Sequence, residues 1–222
     1  MKKYLFGVLI CLIGWTSSAQ TDSTKHYFSI QANQLIRQLL NFGGSSPAVN
    51  NPYLLTYSFE KQNGVGVSIG LGLEADNFED GDAFSQRETS FTDFSMRIGF
   101  DKKSLLGKKF LLGVGLDLLF QANNNETTST FNFNNGNFST NETTVITTNV
   151  SKGFGFGPRL NLSYELTQNI LIGTEASYYF KSINTSSESE NDDNPSSDFS
   201  EEFTNTSFKM VLPSVLYLTF RF

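Results

Sequence analysis

Apolar and polar residues alternate with a period of two along this chain, and this alternation limits its fold more than any other feature. Between Val65 and Glu74 the odd positions hold valine, isoleucine or leucine, and the even positions are mostly glycine or serine. Successive side chains of a β-strand point to opposite faces, so each such stretch predicts a strand with one apolar and one polar face. Six strands of about the length that a tilted membrane strand needs are predicted at 65–74, 94–101, 110–121, 154–166, 172–181 and 208–221.

Two further strands follow from a less regular pattern. The stretch 53–59 carries an apolar residue at every second place, and the stretch 27–42 is expected to form the first strand. Gln34 and Gln38 interrupt the apolar face of that first strand, so the part that holds them could instead form a helical turn. Pro213 cannot donate a ladder hydrogen bond, and we expect a bulge or local bend there. The total is eight strands.

The connections between these strands are alternately short and long. Eight strands with both termini on one side have three short and four long connections, which matches the short periplasmic turns and long outer loops of membrane barrels. A ten-stranded barrel would need one more hairpin, and only the third long connection has room for it. Asn135-Gly136 in that connection is a type I′ turn signal, so we expect a hairpin extending above the membrane. The short connections are 61–63, 101–108 and 167–169; the long ones are 43–51, 76–87, 122–150 and 182–206.

The N-terminal segment has the pattern of a secretory signal peptide. Lys2 and Lys3 precede an apolar run of about a dozen residues, and small residues end at Ala19. We therefore expect a cleaved peptide at 1–19 and one barrel domain at 20–222; an N-terminal membrane anchor is the alternative. Cleavage removes Cys11, the single cysteine, and leaves a net charge near −8, which argues against a nucleic-acid partner.

Alternation alone does not decide whether the apolar faces meet lipid or fill a soluble, lipocalin-like barrel. The polar faces are rich in glycine and serine, which suits the crowded interior of an eight-stranded barrel better than a water-exposed surface. The apolar faces begin or end with aromatic residues, as membrane-interface girdles do. These residues predict a closed antiparallel up-and-down transmembrane β-barrel. The expected girdle residues are Tyr53, Phe91, Phe110, Phe120, Phe154, Tyr164, Tyr178, Phe208 and Phe220.

The C-terminal residues carry a family resemblance. The segment 216–222 alternates and ends with Phe220 and Phe222, and an alternating strand closed by an aromatic residue is typical of outer-membrane barrels. With its architecture, the chain resembles the small outer-membrane barrels of the OmpA-transmembrane, OmpX and PorT-like porin-family type. The resemblance implies a monomer integral to a Gram-negative outer membrane. It also implies contact with lipid or lipopolysaccharide, and recognition of Phe220 and Phe222 by the barrel-assembly machinery.

Several charged residues share the glycine-rich parity and are therefore predicted to face the lumen. Asp117, Arg159 and Glu175 lie on consecutive strands near mid-barrel, so the arginine can bond either carboxylate. We expect these ions to pair and plug the lumen; the alternative is a switchable network that opens a narrow pore. Removal of Arg159 alone is expected to cost more than removal of all three charges. The remaining predicted lumen charges are Glu74, Arg97, Glu165, Lys181, Lys209 and Arg221.

The residues offer little for catalysis or cofactors. The single histidine, His26, precedes the predicted first strand, and the sequence predicts neither a strand-to-helix nucleophile elbow nor a zinc-spaced histidine set; the Gly-x-Ser-x-Gly spacing at 66–70 lies inside a predicted strand. We therefore predict no enzyme, cofactor or metal site. Acidic residues cluster in the second and fourth long connections; calcium binding is the alternative to a solvated, mobile, self-repelling loop. These residues are Asp76, Glu79, Asp80, Asp82, Glu188, Glu190, Asp192, Asp193, Asp198, Glu201 and Glu202.

The functional expectation is a non-enzymatic barrel that supports the outer membrane and presents acidic loops to an extracellular or envelope partner. A narrow low-conductance pore, or an accessory barrel of a secretion machine, remains open as an alternative, because the fold does not dictate the function.

Overall fold

A computed structural model describes residues 24–32, 52–82, 84–134, 140–213 and 215–222 of the chain. The predicted signal peptide, the first long connection and most of the first predicted strand beyond Ala32 lie outside these residues. The described part holds nine β-segments and one short 3-10 helix, Pro195–Ser197. The segments are β1 Lys25–Gln31, β2 Leu55–Glu60, β3 Val65–Gly81, β4 Ser85–Leu106, β5 Phe110–Asn134, β6 Thr140–Glu165, β7 Ile170–Asn191, β8 Phe199–Val211 and β9 Leu216–Arg221.

These segments form one closed antiparallel ring. Each segment from β1 to β7 pairs with the next along the chain, and β8 and β9 both pair with β7. β9 also pairs with β1, with Phe28 opposite Phe220, and this pairing closes the ring. β8 and β9 are therefore two parts of one eighth strand, and the prediction of an eight-stranded up-and-down barrel is confirmed.

The eighth strand is interrupted at Pro213, where the sequence predicts a bulge. Val211 pairs with Ser177, whereas Leu216 pairs with Thr174. The segment 212–215 thus puts four residues opposite two residues of β7. Proline has no N–H to donate to the ladder, so the pairing with β7 is interrupted at this position.

The two faces of the ring differ in size and polarity. Along β5 the outward side chains from Phe110 to Phe120 are apolar, and Leu116 in the middle of that row is 66% exposed. The inward positions between them include Gly113, Gly115 and Asp117, all of which are buried. About ten residue steps of about 3.3 Å, inclined by about 40°, give an apolar band about 25 Å tall.

Short turns join the strands at one end of the ring, which we call the short-turn end. The turn at 61–64 ends at Gly64, whose φ of 80° favours glycine and whose carbonyl accepts from the Lys103 amide at 2.7 Å. Gly107 also has a φ of 80° and begins the turn between β4 and β5. The third turn occupies 166–169.

At the opposite end, which we call the hairpin end, the ladders continue far past the apolar band. β3 and β4 pair up to Gly81 and Gln86, β5 and β6 up to Asn134 and Thr140. The predicted long connections are therefore mostly regular hairpins, including the one expected from Asn135-Gly136, a pair outside the described residues. The apolar alternation stops there while the strands do not, because beyond the apolar band both faces of the strands are mostly polar.

No helix in the part of the chain that the structure describes is long and apolar enough to cross a membrane.

Amide hydrogen exchange of the refolded protein tests these hairpins. In the segment 125–130 of β5 both neighbours, β4 and β6, are paired, whereas β3 at 76–81 pairs only with β4 among the described residues. We expect slow exchange throughout 125–130 and, at 76–81, protection of about every second amide, because one edge of an antiparallel pair leaves alternate N–H groups free. Uniformly fast exchange across both segments would contradict the hairpins.

Candidate functional site

Four charged side chains from four consecutive strands meet inside the ring. They are Arg97 of β4, Asp117 of β5, Arg159 of β6 and Glu175 of β7, and we call them the charged quartet. Their residues are at most 7% exposed. Each has the inward parity of its strand, so the alternation that turns leucine and phenylalanine outward also turns these charges into the lumen.

Arg97 and Glu175 form the tightest pair of the quartet. Arg97 Nη1 donates to Glu175 Oε1 at 2.5 Å, and Nη2 donates to Oε2 at 3.0 Å. One face of the Arg97 guanidinium lies over an aromatic ring, with Cζ 4.4 Å from the centroid of Tyr53. A bidentate, charge-assisted pair stacked on a ring fixes the plane of the guanidinium.

Arg159 contacts both carboxylates of the quartet. Its Nε lies 3.1 Å from Asp117 Oδ2 and 3.2 Å from Oδ1, and its Nη1 lies 3.5 Å from Glu175 Oε2. Its Nη2 donates to the Ser68 hydroxyl at 2.8 Å. Asp117 in turn accepts a hydrogen bond of 2.6 Å from the Tyr179 hydroxyl. Two cations and two anions balance, which offsets the cost of removing four charges from water.

The structure brings Asp117, Arg159 and Glu175 together, and it adds Arg97 as a fourth member. Sequence analysis included Arg97 among the lumen charges without joining it to the other three. This addition changes one expectation. Removing the three predicted charges together would leave Arg97 buried with no carboxylate of the quartet, so the balanced reference is the variant that lacks all four.

The remaining predicted lumen charges lie away from the quartet. Glu165 pairs with Arg221 at 3.1 Å at the short-turn end, where both side chains are partly exposed. Lys181 donates to Gln121 at 3.2 Å nearer the hairpin end. Glu74 is exposed, because it lies on β3 beyond Leu71, the last β3 residue that pairs with β2. Lys209 is half-buried on β8.

Two predicted girdle aromatics do not face outward. Tyr53 is 3% exposed and lies in the lumen beneath Arg97. It precedes β2, which begins at Leu55, so the parity of that strand does not extend to it. Phe91 shares the parity of the buried Ser95 and Arg97, two residues that face the lumen. A stricter count of parity along β4 would have excluded Phe91.

The sequence analysis also missed two clusters of tyrosine and leucine side chains that fill the lumen on either side of the quartet. Tyr53, Leu119 and Tyr179 form a buried apolar cluster on the side toward the hairpin end. A second cluster, Tyr27, Leu111 and Leu171, lies toward the short-turn end. Tyr179 was detectable, because it lies between Ser177 and Lys181 on the inward parity of β7.

A small polar chamber lies between the quartet and the cluster at the short-turn end. It has a volume of about 50 Å³, and its lining includes Thr56, Ser58, Asp101, Lys103 and Arg159. Lys103 Nζ lies 3.2 Å from the Ser58 hydroxyl, 3.7 Å from Glu60 and 3.6 Å from the centroid of the Tyr27 ring. Asp101 Oδ1, which lies 3.8 Å from Arg159 Nη2, and Thr56 Oγ1 have no hydrogen-bond partner there. The chamber is polar and large enough for a few waters.

The single histidine of the chain lies outside this site. His26 is on β1, and its Nδ1 lies 2.8 Å from the Tyr57 hydroxyl, a residue of the outward face of β2. The site therefore consists of the two arginines and two carboxylates of the quartet, with hydroxyl groups bonded to them.

The hairpins that carry the predicted acidic residues, which we call the acidic hairpins, show no metal-binding group in their described part. Among the described residues, no group of three or more His, Cys, Asp or Glu side chains is arranged to hold a metal ion. Asp82 has a local role, since its carboxylate accepts from the backbone N–H groups of Phe84 and Ser85, both at 2.9 Å. These hydrogen bonds lower the pKa of the Asp82 carboxyl below its ordinary value.

No family model and no curated protein matches this chain. Three of the solved structures that resemble it are outer-membrane proteins or surface proteins of bacteria. CarO of Acinetobacter baumannii is 7% identical with a TM-score of 0.37, and the match covers 90% of this chain and 96% of that one. A major outer membrane protein from Thermus thermophilus is 14% identical with a TM-score of 0.36, covering 90% and 99%. Ail, the attachment invasion locus protein of Yersinia pestis, is 13% identical with a TM-score of 0.31, covering 90% and 93%.

The first stability prediction concerns Arg159. The variant Arg159→Ala leaves Asp117 and Glu175 with Arg97 as their only cation in the quartet, so a buried negative charge is uncompensated and we expect a loss of about 3–5 kcal/mol in the free energy of unfolding. Arg221→Ala at the partly exposed rim should cost about 1 kcal/mol or less. Denaturant titration of both refolded variants measures their free energies of unfolding. Equal losses would mean that the ion pairs of the quartet stabilise the fold no more than the partly exposed pair at the rim.

The second stability prediction concerns Gly99. A Cβ at this position would lie 2.4 Å from Asp117 Oδ1, 2.5 Å from the Ser68 hydroxyl and 2.8 Å from Arg159 Nη2. We expect Gly99→Ala to cost about 1–3 kcal/mol, because the quartet must shift to admit it. Gly113→Ala is the matched control, since its Cβ would meet nothing closer than 3.5 Å. Equal stability of the two variants, measured by denaturant titration, would contradict the packing described for the quartet.

Proposed function

We propose that this chain is an integral β-barrel of the bacterial outer membrane whose role is structural and surface-directed rather than catalytic. The observation that carries the proposal is the exposed apolar belt on a closed ring. Val114, Leu116 and Leu118 on β5 are 51–66% exposed, and Phe154 and Phe156 on β6 are 59% and 53% exposed. A continuous apolar surface of this kind on a protein in water would aggregate, whereas in a bilayer it meets hydrocarbon.

The closed ladder supports the same interpretation. In hydrocarbon every backbone N–H and C=O must bond within the protein, and a ring without a free edge meets that requirement. Among the described residues, each of β1 to β7 and β9 has a hydrogen-bonded neighbour on both sides, and β8 pairs with β7. The N-terminal signal-peptide pattern of the sequence supports export to the envelope.

The packed lumen favours a supporting barrel over a channel. The quartet lies between two buried apolar clusters, and the chamber beside it holds room for only a few waters. An ion that crossed the barrel would have to separate paired, buried charges and displace tyrosine side chains. The paired charges also offer no free nucleophile or base, which supports a non-enzymatic role.

The acidic hairpins are the part of the molecule suited to meet a partner. The described hairpin residues include exposed carboxylates such as Glu79, Asp80, Glu188, Asp192 and Glu201. We propose an extracellular or envelope protein as their partner, not nucleic acid, which carries the same charge. We further propose that the barrel is a monomer in contact with outer-membrane lipid and lipopolysaccharide. Phe220 and Phe222 of the closing strand would then engage the barrel-assembly machinery.

Single-channel recording in planar bilayers tests the sealed barrel. We expect refolded wild type to be silent and Arg159→Ala to show brief openings, because loss of the guanidinium leaves one arginine for two carboxylates and opens space in the lumen that water can enter. Folding is checked first by heat-modifiable gel mobility in neutral vesicles, with Gly113→Ala as the lumen control. Steady openings in wild type would overturn the sealed barrel and favour a narrow pore. Failure of wild type to fold into vesicles would overturn the membrane barrel.

A further inference from the structure

The two ends of the barrel carry opposite exposed charge. Five lysines at the short-turn end are exposed, and we call them the lysine rim: Lys25, Lys61, Lys102, Lys108 and Lys109. The described carboxylates at that end are not available to balance them, because Glu60 and Asp101 are buried and Glu165 is paired with Arg221. At the hairpin end the exposed charged side chains are mostly acidic, and the exposed cations among the described residues there are Arg87 and Lys152.

The lysine rim is joined to an apolar tip. The β4–β5 hairpin ends in Leu105 and Leu106, which are 69% and 58% exposed, directly before Lys108 and Lys109. β3 begins at Val65 opposite Lys102, so the segment 103–106 extends beyond it. Leucines left exposed beside lysines suit a boundary between hydrocarbon and charged headgroups better than free water.

Aromatic residues link this tip to the lipid-facing belt. Leu106 pairs with Phe110, and the Phe110 and Tyr164 rings are 5.0 Å apart on the outer face. Lys109 Nζ lies 5.7 Å from the centroid of the Tyr164 ring. An ammonium group beside an outward tyrosine is the arrangement of a membrane interface, where the ring sits at headgroup level and the cation reaches phosphate. Continuity with the apolar belt favours lipid over a water-soluble acidic protein as the occupant.

We propose that the lysine rim and the leucine tip bind the headgroups of anionic phospholipids in the leaflet at the short-turn end. This inference rests on the proposed membrane barrel and names the lipid class that one end of it selects. The phosphate of phosphatidylglycerol pairs with Lys108 and Lys109, while Leu105 and Leu106 enter the acyl boundary of the leaflet. The acidic hairpin end repels the same headgroups, so the charge asymmetry also sets which leaflet each end prefers.

Lipid selectivity measured by electron paramagnetic resonance tests the proposal. Wild type is refolded into phosphatidylcholine vesicles that contain spin-labelled phosphatidylglycerol or spin-labelled phosphatidylcholine, and the motionally restricted fraction of each label gives the relative association constant. The variant is Lys108→Gln/Lys109→Gln. The matched control, Arg87→Gln/Lys152→Gln, removes two exposed cations from the opposite end. Lys109→Gln alone serves if the double variant folds poorly.

We expect wild type to prefer phosphatidylglycerol, and the Lys108→Gln/Lys109→Gln variant to lose about two- to fivefold of that preference. The control should keep it, and about 1 M salt should abolish it in wild type. Equal association of both labels with folded wild type, or equal losses in both variants, would overturn this inference and leave the barrel intact. A chain that does not fold into neutral vesicles would overturn the membrane barrel, and this inference with it.

Discussion

The pairing of β1 with β9 is the interaction on which the rest of the structure depends. It turns a sheet with two free edges into a ring, and in the proposed membrane setting only a ring lets the outward row of leucine and phenylalanine surround the molecule without exposing backbone donors to hydrocarbon. Closure also creates an inside that is too narrow for large side chains at every position. The inward glycines and serines follow from that limit, and so does the need for the few large inward residues to fit one another.

The charged quartet is a consequence of that enclosed space. A buried arginine costs several kcal/mol in desolvation unless carboxylates surround it, and Arg97 and Arg159 share Asp117 and Glu175 for this reason. The Tyr179 and Ser68 hydroxyls occupy further hydrogen-bonding positions on these ions. The same side chains that neutralise one another also fill the lumen, so sealing the barrel and satisfying its charges are one arrangement.

The sequence predicted the strands within the apolar belt because an apolar outer face and a crowded, polar lumen impose the period of two. Beyond the belt that enforcement ends, and the ladders of the hairpins could not be told from loops by apolar alternation. Parity also located the quartet members on the inner face. It could not join Arg97 to Glu175, because the relative height of residues on β4 and β7 depends on the register of every strand between them. The prediction that Tyr53 faces outward was wrong, because this residue precedes the regular ladder of β2.

Register is the property that alternation leaves unspecified. A slip of one residue exchanges the two faces and is excluded by the apolar belt, but a slip of two residues preserves both faces. Such a slip of β4 against β5 would carry Arg97 about 7 Å along its strand and remove it from Glu175. Gly99 would move away from the space that Asp117 and Arg159 occupy, and a larger side chain would take its place. The quartet therefore penalises the slips that the apolar outer surface tolerates, and paired charges from four consecutive strands hold the register that the apolar belt alone cannot.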